Sequence, residues 1–345
     1  MRTMQRPCWA VLGLTLSCVP AFAQAPQSAA PPAPAQTAPT PAPANAVAAT
    51  VDGKPILEAI VLRSLQRVPA AKQTEARPQI VEFLIDQILL DQYMLEQKIA
   101  VDPKEVEKGI DEMKTELQKQ KKEFGKVLED EKITEAELRE HIAADIRWGK
   151  FADERATDKV LKELFEARKY LFDGSMVRAR HILLTPAVND PKSADQVVAQ
   201  LQAIKQDIDK QVANGLAQLP PNTDNLAREK KRQTLLDEAF AAQAKAKSAC
   251  PSKDKGGDVE WFQGIGFMVE PFSRAAFALK PFEISEPIKT PFGYHLILVT
   301  DRKAGREVKF EEVKEMVKEH YCTALHDAII GEARTRAKIV VNEAK

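Results

Sequence analysis

His181 and His295 each sit in a short apolar stretch, and between them Cys250 precedes a Pro-Ser pair, a Lys-rich loop and Gly256-Gly257-Asp258. Alone, the cysteine is open to four readings: nucleophile, metal ligand, half of a disulfide, or an uncharged wall of a pocket. A nucleophile needs an activated thiolate with a base in reach. Lys253 and Lys255 are placed to lower a thiol pKa, yet the same residues make an ordinary solvated loop. A cysteine hydrolase using Cys250 with His181 or His295 would need a triad-like signature, which is absent. Two histidines and one cysteine without ligand spacing do not describe a metal site. Met268 and Phe272 can close around a small apolar ring without demanding hydrogen bonds. By themselves, they and Val259 read as core.

The composition narrows the classes. The chain has 345 residues, with Lys+Arg and Asp+Glu both at 50, so no excess charge points to nucleic acid or an anionic membrane. Aromatics at 6% give no base-stacking platform. Arg2 and Arg6, the apolar run Trp9–Pro20 and Ala21-Phe22-Ala23 form a leader of residues 1–23, cleaved after Ala23. A lipid anchor at Cys18 fits poorly with Thr15-Leu16-Ser17 before it. Cleavage leaves Cys250 and Cys322, which are free to pair but form no disulfide framework. Residues 24–46 are nearly all Ala, Pro, Gln and Thr, an extended tether. No later segment approaches the ~18 apolar residues of a membrane span, so an exported, periplasmic chain is expected.

The elements that must position the candidate residues follow from periodicity. Val47–Val51 reads as a strand ended by Asp52-Gly53. Ile80, Leu84, Ile88 and Leu95 mark a helical stripe, and Asp102-Pro103 opens a helix through Val106, Ile110, Met113 and Leu117. Thr134 and Glu137 form a capping box before Leu138, Ile142 and Ile146. Residues 55–172 therefore read as all-helical. Val177–Leu184 alternates as a strand does; helices are expected at about 193–213 and 225–247, a loop at 250–266, a helix at 272–279 and a strand at 294–299. Phe310, Val313, Val317, Tyr321, Leu325 and Ile329 form a last helical stripe, and Lys338–Val341 a last strand, expected to return to the N-terminal helices and pair beside Val47–Val51.

Four stretches carry a resemblance: Ala179–Leu184; Ser248–Ser252 with Gly256-Gly257-Asp258; Phe267–Val269 with Phe272 and Ala275–Leu279; and Ile288–Ile297. In this order they resemble the parvulin-type peptidyl-prolyl cis/trans isomerases. The flanking architecture is similar to the extracytoplasmic foldases of the SurA, PrsA and PpiD type. The resemblance implies an α+β fold, a parvulin-like domain at 176–303 with a small antiparallel sheet and surrounding helices. This domain is inserted between the helical region 47–175 and the C-terminal segment 304–345, which together form a mainly helical chaperone module.

It also implies roles. His181, Cys250, Thr290 and His295 become the catalytic set, the histidines a hydrogen-bonded pair linked through Thr290 and the thiol a non-covalent neighbour of the rotating carbonyl. Val259, Met268, Phe272 and Phe292 become the substrate-binding set, and no metal, cofactor or ATP is implied. Partners would be unfolded or partly folded exported polypeptides containing X-Pro. The alternative is a holdase with weak or no turnover. Two departures stand out: Glu260, where the family usually has glycine, and a run to Met268 one residue longer. Thr185–Asp190 lacks the Arg/Lys cluster that would pair a phosphate.

Overall fold

The computed structural model describes residues 46–342 apart from 67, 132 and 188–191. The expected leader, most of the tether and part of the Thr185–Asp190 segment lie outside the described residues. The chain divides into two compact units, one running to Leu161 and resuming at Lys318, the other Lys162–Val317.

The first unit opens with a hairpin of β1 (Val47–Val51) and β2 (Lys54–Leu57), turned at Asp52-Gly53. Helices α1 (Glu58–Leu65), α2 (Gln73–Glu96), α3 (Pro103–Lys119), α4 (Phe124–Glu131) and α5 (Glu135–Arg155) follow. Both α3 and α5 start with full capping boxes, Asp102 with Glu105 and Thr134 with Glu137, which satisfy amides the first helical turn would leave bare. The C-terminal part of α10 (Phe310–Arg336) and β8 (Ile339–Val341) complete the unit. Strand β8 pairs antiparallel with β1, Thr50 opposite Val340. Arg334 reaches Asp86 and Glu82 on α2 at 2.6 and 2.7 Å. Cys322, Ile329 and Ile330 share one core with Ala49, Val61, Val81, Ile85 and Phe151.

The second unit is built on a five-stranded antiparallel sheet, order β4-β3-β7-β5 with β6 also on β7. Its strands are β3 (Met176–Leu184), β4 (Asp258–Gln263), β5 (Glu283–Ile284), β6 (Ile288–Thr290) and β7 (Gly293–Lys303). The central strands are covered on both faces. Ile182, Leu296 and Leu298 pack on α7 (Ser193–Ala217) and α8 (Asn225–Lys247). Val177, Ala179, Ile297 and Val299 face Phe272, Ala276 and Phe277 of α9 (Glu270–Ala278). Because side chains alternate along a strand, His181 and His295 fall on the α9 face.

Three readings are corrected. Residues 54–57 form a strand, because Pro55 cannot continue a helix and the Asp52-Gly53 turn directs them back along β1. Residues 258–263 form β4, whose pairing with β3 is interrupted by a bulge that hides the alternation. The last helix of the N-terminal region, α6, spans Asp158–Ala167, and a separate 3-10 turn follows at Lys169–Leu171. Cys250 and Cys322 are free thiols. No helix among the described residues is long and apolar enough to cross a membrane.

One side chain in the helical unit opposes its surroundings. Asp145 follows Leu138 and Ile142 along the buried stripe of α5, and burial pushes its carboxyl up to about 7. An acid with a raised folded-state pKa favours folding while protonated, and that advantage is lost as pH rises from about 4 to about 7. Asp145→Asn should therefore stabilise the chain by on the order of 2 kcal/mol at pH 8 and by much less at pH 5. Urea unfolding at both pH values checks this; an equal effect at the two would refute it.

Candidate active site

The pairing of β3 with β7 sets Leu183 opposite His295 and His181 opposite Ile297, so the two histidines are diagonal neighbours on one face. Their Nδ1 atoms are 3.0 Å apart, with ring planes 13° from parallel. His181 Nε2 lies 3.0 Å from Ser252 Oγ, and His295 Nε2 lies 2.8 Å from Thr290 Oγ1. The result is a four-member chain, Ser252–His181–His295–Thr290. Thr290 terminates this chain instead of bridging the histidines, because the diagonal register already brings the rings into direct contact.

Both imidazoles are buried, and burial pushes each down to about 4, with the neighbouring His181 adding to the effect on His295. They are thus neutral near pH 7, and only one proton lies between the two Nδ1 atoms. Two proton orders satisfy every ring nitrogen. In one, Thr290 donates to His295, His295 to His181, and His181 to Ser252, leaving the Ser252 hydroxyl hydrogen free. In the other, the direction reverses and Thr290 donates to the Gly293 carbonyl at 3.4 Å. The chain is a neutral, switchable dipole.

The Phe272 ring stands edge-on to both imidazoles, 5.5 Å from His181 and 5.4 Å from His295 between centroids. Met268 and Val259 are half-buried against the same apolar cluster. Phe292 is exposed, and its amide donates to Thr290 Oγ1 at 3.1 Å. Cys250 is half-buried before a 3-10 turn at Pro251–Lys255. Among the described residues it is Ser252, two positions on, that bonds His181. Sequence reasoning passed over Ser252 because serine after proline is ordinary turn chemistry. Its place within the Cys-Pro-Ser motif was the available signal.

The loop carrying Ser252 is tied to β3. Ala249 donates to the Leu183 carbonyl, and His181 donates to the Gly257 carbonyl, at 2.8 and 2.9 Å. Arg180 grips Asp237 on α8 at 2.6 Å and donates to the carbonyls of Lys255 and Gly256. Gly257 has φ +79, and a Cβ there would stand 2.4 Å from the His181 carbonyl oxygen. Glu260 occupies the β4 bulge with φ +62, which explains why glycine suits that position. Here Asp258 accepts from the Glu260 amide at 2.8 Å and Lys255 pairs its carboxylate at 3.0 Å, holding a conformation that costs about 1 kcal/mol. Among the described residues, no group of three or more His, Cys, Asp or Glu is arranged to hold a metal ion.

Two predictions follow from this geometry. Gly257→Ala should cost at least about 2 kcal/mol, since it combines left-handed strain with a backbone clash; urea unfolding within ~0.5 kcal/mol of wild type would contradict it. The histidines titrate near 6.5 when unfolded and near 4 when folded. The unfolded chain therefore binds more protons between these values, so their contribution is complete above about 6.5 and falls as pH drops toward 4. Replacing both by leucine should flatten that part of the stability–pH curve, and an unchanged slope would show that other groups set it.

Residues 217–301 match the model of the PPIC-type PPIase domain, and residues 1–152 match that of a SurA-like N-terminal domain. The first match contains every candidate site residue except His181. The foldase protein PrsA of Caldanaerobacter subterraneus subsp. tengcongensis is 30% identical over 73% of this chain, and the chain spans just under two thirds (65%) of that relative's length. A putative peptidyl-prolyl cis-trans isomerase, Cbf2 of Campylobacter jejuni, is 49% identical over 23% of this chain and 30% of its own. A solved structure of peptidylprolyl isomerase (PrsA) from Bacillus anthracis aligns at 23% identity and TM-score 0.40, covering 76% of this chain and 100% of its own. The chain thus combines a SurA-like N-terminal domain with a PPIC-type PPIase domain, and over about two thirds of its length it is similar to the PrsA foldases.

Proposed function

We propose that this chain catalyses cis/trans isomerisation of X-Pro bonds in unfolded exported polypeptides, while its helical unit holds those chains. The observation that carries the reading is the neutral hydrogen-bonded histidine pair set directly against the ring of Phe272. Rotation about an X-Pro bond crosses a barrier of ~18–20 kcal/mol because amide resonance must be broken. No bond to the substrate need form. What helps is an environment that prefers the twisted, less delocalised amide.

Phe272, Met268 and Val259 would seat the pyrrolidine ring, with Phe292 on the rim. Cys250 and Ser252 would face the carbonyl that swings. In the proton order that frees it, the Ser252 hydroxyl can donate to that oxygen, and the reversed order withdraws the proton. The histidines act through Ser252 as positioning residues and stay neutral throughout. This chemistry calls for no cofactor, metal or ATP. The basic, apolar and small-residue pattern of residues 1–23 supports export to the periplasm.

Exposed Leu62, Phe83 and Leu95 on the helical unit favour a second reading, a holdase that binds chains with little turnover. A prolyl-tetrapeptide exchange assay on the full chain separates the two. Met268→Ala and Ser252→Ala should each lower kcat/KM at least about tenfold, while Cys250→Ser retains most activity. Absence of acceleration by a folded wild-type chain would remove the isomerase claim, and suppression of client aggregation would then leave the holdase.

A further inference from the structure

The three-stranded sheet of the helical unit runs β2-β1-β8, so β2 and β8 are both edges, but they are not equivalent. Asp52 donates its amide to the Lys338 carbonyl at 3.0 Å, and Asn342 donates to the Ala48 carbonyl at 2.8 Å. In an antiparallel pair, residues that exchange backbone bonds alternate with residues that do not. With Thr50 opposite Val340, the β8 residues bonded to β1 are therefore Lys338, Val340 and Asn342. Ile339 and Val341 turn their amides and carbonyls away from β1, and no strand among the described residues lies on that side. The same alternation leaves Ala49 and Val51 to bond Ile56 and Lys54, which turns Pro55 outward on β2. Proline has no amide to offer a further strand. One edge is closed and the other is open.

The side chains repeat this asymmetry. Ala49 and Val51 are fully buried, and their partners Val341 and Ile339 lie on the same face of the sheet. Ile339 packs on the core, yet Val341 is 49% exposed. The apolar face thus runs past its last strand into solvent. Val340, on the opposite face, is 45% exposed. An open backbone edge with exposed β-branched side chains is a template for pairing with another chain. A strand laid antiparallel along it would turn amides and carbonyls to Ile339 and Val341, and the side chains of those same residues would cover Val341.

We propose that β8 takes up extended apolar segments of unfolded polypeptides as a fourth, antiparallel strand of this sheet. The inference rests on the reading that the helical unit holds such chains, and it names the surface and the form of the chain held. The outward groups of Ile339 and Val341 allow four hydrogen bonds, all to backbone and hence tolerant of sequence. Three residues of edge fall far short of the ~1,200 Å² that a stable protein pair buries, so a permanent second copy is not the occupant. A weak grip suits a chain that must be released. Apolar residues at every second position would lie on the core face, and proline is excluded wherever an amide must donate.

The test is binding of a fluorescent peptide of alternating valine and serine to the full chain, read by anisotropy. The geometry turns the valine amides to β8, so N-methylation of the valines should weaken binding at least about tenfold, and N-methylation of the serines by less than about twofold. Val341→Pro removes an outward amide and no bond to β1; it should weaken the peptide as much while prolyl-tetrapeptide turnover stays at the wild-type rate. Equal effects of the two methylation patterns, or no peptide binding by a chain that still suppresses client aggregation, overturn strand addition alone. Dimerisation of the wild-type chain that Val341→Pro abolishes, without peptide binding, overturns it in favour of a second copy. Neither peptide binding nor suppression of aggregation removes the holding reading and this inference with it.

Discussion

The antiparallel register of β3 and β7 is the constraint on which the site depends. Because Leu183 lies opposite His295 and His181 opposite Ile297, the imidazoles meet as diagonal neighbours on the α9 face. A slip of one residue would turn His181 to the face covered by α7 and α8 and present Ile182 to Phe272. Core packing on both faces resists that slip, since Ile182, Leu296 and Leu298 are fully buried on one side and Val177, Ala179, Ile297 and Val299 on the other. The hydrophobic alternation of two strands therefore fixes a polar contact.

Neutrality follows from the same burial. A charged imidazole against Phe272 would lack both water and a counter-ion, so desolvation dominates and both rings have lost their protons once the pH is above about 4. A pair that stays neutral cannot serve as a strong base toward the Cys250 thiol. What it can do is orient hydroxyls, because each ring nitrogen has one defined role once the shared proton is placed. Ser252 and Thr290 are the two ends at which that order is expressed, and only Ser252 lies on the loop beside Cys250.

Much of this was legible in the sequence where the signal is local. The stripes of α2, α3, α5 and α10 and the capping box of Thr134 with Glu137 depend on residues three and four apart, so they survive without tertiary information. The strands β2, β5 and β6 have two to four residues, too few for a period, and β4 has its alternation broken at Glu260. In the site, His181, His295, Thr290, Met268 and Phe272 came from a resemblance of ordered motifs, since a lone histidine or methionine carries no such message. Ser252 was not legible for a different reason. Its partner is 71 residues away, and only the pairing of residues 249 and 257 with β3 brings the two together.

Several left-handed residues frame the site. Gly256 and Gly257 are left-handed, Glu260 follows three residues on, and Gly266 stands just before Phe267. Strain persists only when its surroundings over-determine it. Here Arg180 binds Asp237 and two loop carbonyls, Arg178 binds Asp258 at 2.6 Å, and Asp258 in turn holds the Glu260 amide. These two arginines alternate with His181 along the same strand and so lie on its opposite face, which fastens the histidine and the loop that carries Ser252 to one element. The proposed catalysis by environment alone would require that arrangement, because a dipole stabilises a twisted amide only if it does not relax away as the amide turns.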